Sequence, residues 1–328
     1  MNIDRYAHQR YLLMTLDPVH PGAGGYRLGR VDNSIARDPG TRLPKIPGTS
    51  LHGAARAYAA MQYEKPKCAG QGQRGSEHCG QPNCPICYTF GYIKGKEMSS
   101  GVVNVFDAHL LLFPVHSMVG PVWVSTPQRL RETSFKEVPD GSPQDAACWT
   151  TFDPKGRLNL GWLLLEVAAT QVQVEPPVEW KGEAWDAVQN RLVLVADSLF
   201  SHIVNSNLEV RTSVAINPET GAAEEGALFT YEAIPRAAFL AAEVVLDDYY
   251  AEENNRPFPK DTTEQGKPLP GGRWKGPLDV VAAGLKLIEY LSVGGMGTRG
   301  FGRVKVVGKP LEKSQQQIFQ SLSQEGQP

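Results

Sequence analysis

A chain of 328 residues, 41% of them hydrophobic, can bury a core larger than that of one small domain, as one or two globular units. No stretch approaches the roughly 18 to 20 consecutive apolar residues of a membrane span. The first apolar run, YLLMTL at 11–16, is too short and poorly flanked for a signal peptide, so a cytoplasmic protein is expected. The net charge of -2 argues against a generic nucleic-acid sponge but conceals segregation: residues 26–56 carry six Arg or Lys against two Asp, and 291–310 carry four against none. Residues 219–253 instead hold nine acids against Arg236 alone. Such segregation suggests one anion-facing surface and another that meets a basic neighbour.

The run at 11–16 reads as a first strand, followed by the loop PGAGG (21–25), a second extended piece and a turn at Asp38-Pro39-Gly40. PGTSLHGAARAYAAMQYE then reads as a helix to about Glu64, with an N-capping Gly-Thr-Ser entry. Helical spacing puts Leu51, Ala55, Tyr58 and Gln62 on one face and His52, Arg56 and Ala60 on another. Residues 66–90 form a cysteine-rich insert without hydrophobic periodicity. The segments 101–117 and 120–130 read as strands, and 191–205, apolar at 192, 195, 199 and 203, as a helix. Around an NPETG turn, 208–247 reads as successive strands, a β-hairpin region. A Pro- and Gly-rich loop over 251–277 precedes a helix over 278–291, with Pro277 tolerated in its first turn. The Gln-rich tail, 312–328, is expected to be flexible. Strands and helices intermix without a βαβ repeat, which favours α+β over a doubly wound sheet.

Four of the five cysteines, Cys68, Cys79, Cys84 and Cys87, fall within twenty residues, the last pair as CPIC. In a cytoplasmic chain such clustering points to metal before disulfides. Four thiolates on one tetrahedral Zn²⁺ would fix a loop that has no core of its own, with His78 as an alternative to Cys79; a closed site of this kind is structural. GGMGTRGFGR (294–303) lets consecutive backbone N–H groups face one concavity, a nest for phosphate oxygens, with charge from Arg299 and Arg303. It lacks the GKS or GKT ending of a P-loop, and an ordinary glycine-rich turn before RVKVV is the competing reading. His20, in DPVHPGAGG, could serve acid-base chemistry or simply pack beside the glycine loop.

PVHPGAGG, VDNSIARDP followed by LPKIPGTSLHGAAR, CPICYTFG, FDAHLLLFPV and the late GGMGTRGFGR stand in the order seen in the RAMP superfamily of CRISPR proteins. They most resemble the backbone subunit of type III-B effector complexes, with the type III-A counterpart as the near neighbour. The resemblance implies one RAMP domain over 1–328: a ferredoxin-like (RRM-like) palm, a β-hairpin thumb within 208–247, and the cysteine insert. It implies copies stacked head to tail on a guide RNA beside other type III subunits, with metal-dependent cleavage of paired target RNA once per copy. The family's V-D-x-x-I-x-R motif puts the cleaving aspartate at Asp32. Arg37, Lys45, Ser50, His52 and Arg56 match the region that grips the guide backbone, although many relatives have lysine where His52 stands. Arg30 and the loop residues Gly294, Gly295, Thr298, Arg299 and Arg303 complete the expected RNA contacts.

Chemistry supports Asp32 separately. RNA carries its own nucleophile, the 2'-OH, so the protein need only align it, assist its deprotonation and stabilise charge on the phosphate. One carboxylate can hold a hydrated Mg²⁺ or Mn²⁺ against that phosphate, or take the proton. Asp38, before Pro39-Gly40, is better explained as a turn residue. Two rivals remain: a scaffold in which Asp32 merely shapes a loop, and a stand-alone ribonuclease that processes guide precursor through His20. The second should be basic overall to capture RNA unaided, whereas many copies along one guide sum their contacts at a charge of -2.

Overall fold

Alternation along the first strand decides how the two faces of the molecule are filled. In β1 (Tyr6–Thr15) the pleat sends Tyr11 and Leu13 into one apolar cluster and Leu12 into another, all 2% exposed. The computed structural model describes residues 5–24, 31–70, 77–251 and 256–325.

After β1 come β2 (Lys45–Ile46), α1 (Gly48–Gln62), α2 (Pro85–Phe90), β3 (Gly91–Lys94), β4 (Glu97–Ser100) and β5 (Val103–Val105). Next are β6 (Ala108–Ser117), β7 (Gly120–Ser125), α3 (Pro127–Glu132), β8 (Ala147–Thr150), β9 (Arg157–Leu160) and β10 (Leu163–Ala169). Then follow α4 (Glu183–Asp186), β11 (Leu192–Leu194), α5 (Asp197–Ser206), β12 (Glu209–Ile216), β13 (Ala223–Ala233) and β14 (Phe239–Asp247). The chain closes with α6 (Pro277–Leu291), β15 (Val304–Ser314) and α7 (Gln315–Glu325). The architecture is α+β.

The main sheet runs β15-β1-β14-β6-β7-β11-β8-β10-β9. From β15 to β7 every neighbouring pair is antiparallel. Helices α1 and α6 pack against each other over the Leu13 face. Residues Val280, Val281, Leu285 and Ile288 of α6 bury at helical spacing, and Gly284 permits the crossing, since a Cβ there would lie 2.0 Å from the Ala55 carbonyl oxygen. At the start of α6, Asp279 accepts from the N–H groups of Lys275 and Gly276. The opposite face is closed by Leu111, Leu112, Phe135, Trp180, Trp185 and Phe239.

Several expected boundaries are corrected. The second strand of 120–130 stops at Ser125, where Thr126 starts α3 by accepting from the Arg129 N–H. The stretch 191–205 begins as a strand: Leu192, Val193 and Leu194 are each 0% exposed, buried on both sheet faces, and only then does α5 form. The 208–247 region divides, because β12 pairs only with β13 while β14 sits inside the main sheet between β1 and β6. The tail from 312 ends β15 and forms α7, with Phe319 edge-on to Tyr6. Within the loop before α6, Lys260 bridges Trp274, which is buried. Among the described residues no helix is long and apolar enough to cross a membrane.

Candidate nucleic-acid interface

One strand organises the expected site residues. On β13 the pleat turns Phe229 and Tyr231 to one side and Thr230 and Glu232 to the other. The segment carrying Asp32 runs beside the second side: Asn33 N–H donates to the Thr230 carbonyl (3.0 Å), and Glu232 N–H donates to the Asn33 carbonyl (3.1 Å). Asp32 is exposed, and its Oδ2 accepts from both the Thr230 N–H (2.7 Å) and the Thr230 hydroxyl (2.9 Å). Those bonds, the backbone one first, hold its carboxyl below the usual carboxylate range, so it is ionised at neutral pH. Apart from the backbone N–H of Asp32 itself, no other described residue bonds this carboxylate.

Arg37 faces the same side, but its guanidinium is engaged: it pairs with Glu232 (2.7 Å) and donates to Asn205 (3.0 Å) and the Ile35 carbonyl (3.2 Å). It therefore fastens the Asp32 segment to β13 and α5. Asp38 is the turn residue, its Oδ1 accepting from the N–H groups of Gly40 and Thr41 at 3.0 Å. His20 is 6% exposed, with Nδ1 2.6 Å from the Glu232 carbonyl oxygen and its ring edge-on to Tyr231. This packing corrects the expectation that His20 could reach RNA as an acid or base. Arg30 lies outside the described residues.

The glycine-rich loop lies on the other side of β13. Phe301 packs on Tyr231 (5.4 Å between ring centroids), and the Arg299 guanidinium lies over Phe229 (5.5 Å). Glycine is required at 302, where φ is +95° and a Cβ would meet the Val293 carbonyl oxygen at 2.4 Å. Gly294, at φ +85°, lets Gly295 N–H reach the His20 carbonyl at 2.9 Å. The N–H groups of Gly295, Arg299, Gly300 and Gly302 all donate to protein carbonyls. These bonds brace the loop, which presents exposed Thr298 and Arg299, with Arg303 paired to Asp17 (2.5 Å). An open cavity of about 880 Å³ is lined there by Asp17, Phe229, Tyr290, Thr298, Arg299 and Arg303 among others.

Lys45 stands on β2, and Ser50, His52 and Arg56 on α1. The helix N-cap is Pro47, without a side-chain cap; the Gly48 N–H instead donates to Asp107 (2.7 Å), whose other oxygen pairs with Lys45 (2.5 Å). A protein carboxylate thus already occupies the first N–H and the lysine expected to meet a phosphate. Ser50 is half-buried. The imidazole of His52 stands edge-on to Phe90 at 5.1 Å, and burial, then the Arg56 charge, push its pKa down. Arg56 is 7% exposed and donates to the Cys68 and Phe90 carbonyls. In this way it clamps both ends of the cysteine insert onto α1.

In that insert the Sγ atoms of Cys68, Cys79, Cys84 and Cys87 all lie within 4.8 Å of one another, with separations such as 3.6 and 3.7 Å. Tetrahedral zinc with Zn–S near 2.3 Å requires sulfurs about 3.8 Å apart, so these residues fit such an ion. Thiol hydrogen bonds from Cys84 and Cys87 push the Cys68 thiol down, while bonding to Cys68 raises both of theirs. Cys79 is the cluster member; His78 instead accepts the Ile93 N–H at its Nδ1.

Sequence reasoning missed Thr230, Glu232 and Asp107, each of which holds an expected site residue from a distant part of the chain. The only local signal was FDAH itself, where an acid stands between an aromatic and a strand.

A profile of the RAMP superfamily matches residues 12–305. CRISPR system Cmr endoribonuclease Cmr4 of Pyrococcus furiosus is 27% identical over 318 residues, covering 91% of this chain and 95% of that protein. CRISPR system Cms endoribonuclease Csm3 of Methanothermobacter thermautotrophicus is 24% identical, covering 87% and 78%. Among solved structures, a type III-B Cmr-beta complex bound to cognate target RNA contains a chain that superposes with a TM-score of 0.62 at 16% identity, over 92% of this chain and 96% of that one. Oligomeric Cmr4 from Pyrococcus furiosus superposes at 0.53 with 20% identity, over 93% and 98%. These superpositions show the shared fold.

Proposed function

Because the chain belongs to the RAMP superfamily, we propose that it is the backbone subunit of a type III-B CRISPR effector, stacking along guide RNA and cleaving paired target RNA at Asp32. The greater identity and coverage with the Cmr relative than with the Csm one support type III-B over type III-A. The palm is the β1-α1-β6-β14-α6-β15 unit. Its spatial order β15-β1-β14-β6, all antiparallel with both helices on one face, supports a ferredoxin-like assignment. The thumb is the β12–β13 hairpin, which stands outside the main sheet.

The observation that carries the catalytic reading is the state of Asp32: exposed, ionised, and held at one oxygen by Thr230, with no other described residue bonding the carboxylate. Its lowered pKa makes it a poor proton acceptor and a good cation ligand. Asp32 would hold a hydrated Mg²⁺ or Mn²⁺, and the ion would supply neutralisation of charge on the scissile phosphate. The fixed carboxylate sets where the phosphate rests, so that a 2'-OH can stand in line with the leaving oxygen. Thr298 and Arg299, with Ser50 and the loop backbone near Gly294, are exposed or half-buried groups suited to meet guide phosphates and sugars, beside Arg37, Lys45, His52 and Arg56, which already hold protein contacts, and Arg303, paired to Asp17; recognition of this kind is independent of sequence. The four-cysteine site holds structural zinc.

Asp32→Ala in a reconstituted effector with Mg²⁺ should abolish target cleavage while guide and target binding persist. Undiminished cleavage would leave a non-catalytic scaffold as the reading. The buried, backbone-bonded His20 counts against the precursor-processing alternative.

A further inference from the structure

We infer that Thr230 is the positioning residue for Asp32, so that the nuclease carboxylate takes its orientation from the hairpin and not from its own loop. The two residues are 198 positions apart and joined by three bonds: Thr230 N–H and hydroxyl to Asp32 Oδ2, and Asp32 N–H to the Thr230 hydroxyl oxygen at 3.1 Å. The hydroxyl is thus donor and acceptor toward one residue. It fixes the backbone of Asp32 and the rotation of its side chain together. Around it, the Asn33 and Glu232 backbone bonds and the Arg37–Glu232 ion pair keep the loop in register with β13. No other described side chain bonds the Asp32 carboxylate.

A carboxylate on an exposed loop otherwise samples several rotamers, and outer partners that orient a ligand usually change activity by about 10- to 100-fold. Thr230 lies on the hairpin, so any RNA that tilts this strand also turns the carboxylate. The inference rests on Asp32 being the cleaving residue.

The test uses the assembled effector with guide RNA, target RNA and Mg²⁺, comparing wild type with Asp32→Ala, Thr230→Val and Thr230→Ser. Valine keeps the shape and the backbone donor but removes the hydroxyl. Cleavage should fall about 10-fold with target affinity unchanged, and serine should restore it. Wild-type cleavage in Thr230→Val, with Asp32→Ala inactive, overturns the inference and spares the function. Equal loss in the valine and serine variants also overturns it, since the hydroxyl that serine keeps would then fail to restore what valine loses. Cleavage by Asp32→Ala overturns the catalytic reading itself.

Discussion

Glu243 shows how a single side chain on the sheet surface can report on folding. Its carboxylate lies 3.3 Å from His8 Nε2 and 2.6 Å from an Arg10 terminal nitrogen, and these partners, His8 first, hold its pKa down to about 2. The unfolded chain binds this proton at the ordinary value, so between about pH 4.5 and 2 the unfolded state takes up more protons and stability rises with pH. The contribution is present above the unfolded value and is lost as pH falls toward the folded one. Urea titrations of wild type and Glu243→Gln from pH 6 to pH 3 should diverge most at the upper end, with roughly half or less of the difference left at pH 3. A difference constant across that range would show that the glutamate acts through packing alone. Of the two acids in the basic stretch 26–56, Asp38 was readable, because its partners lie two and three residues away. The hold on Asp32 was not, because Thr230 comes from the far end of the chain and nothing local marks it.

At the scale of elements, helices α1 and α6 were legible from their spacing, since each buries one stripe on the sheet. The strand β11 was hidden because a continuous apolar run carries no period, and only its pairing with β7 and β8 made it extended. Clustering made the cysteine insert legible, but the role of Arg56 was not: helical spacing put it beside His52 without saying that the face was covered. Both His52 and Arg56 point toward the insert, which folds over them. Purified protein should contain about one zinc per chain. Cys87→Ser should release it and expose residues 66–94 to limited proteolysis, read by metal analysis and by mass spectrometry of the fragments. Metal-free protein with an equally protected insert would mean that Arg56 and the local packing suffice.

Across the whole molecule, acids and bases are sorted by region, and the sorting follows the chain closely enough to be seen in the sequence. What the sequence did not disclose is the extent of the sheet, because the pairings of β7 with β11 and of β8 with β10 are parallel and join segments with no local turn. The exposed acids Glu219 and Glu224 lie on the hairpin, suited to meet a basic face of the next copy. Reversing both to lysine should shorten assemblies on guide RNA, measured by mass photometry at fixed salt; unchanged length would remove the contact from the assembly. The two-sidedness of β13 has one more consequence. A carboxylate and an arginine-bearing loop make opposing demands on the field around a polyanion, and placed together each would cancel the other. With Thr230 directed one way and Phe229 and Tyr231 the other, the strand holds Asp32 and Arg299 on opposite sides, and it is that separation that keeps each from neutralising the other.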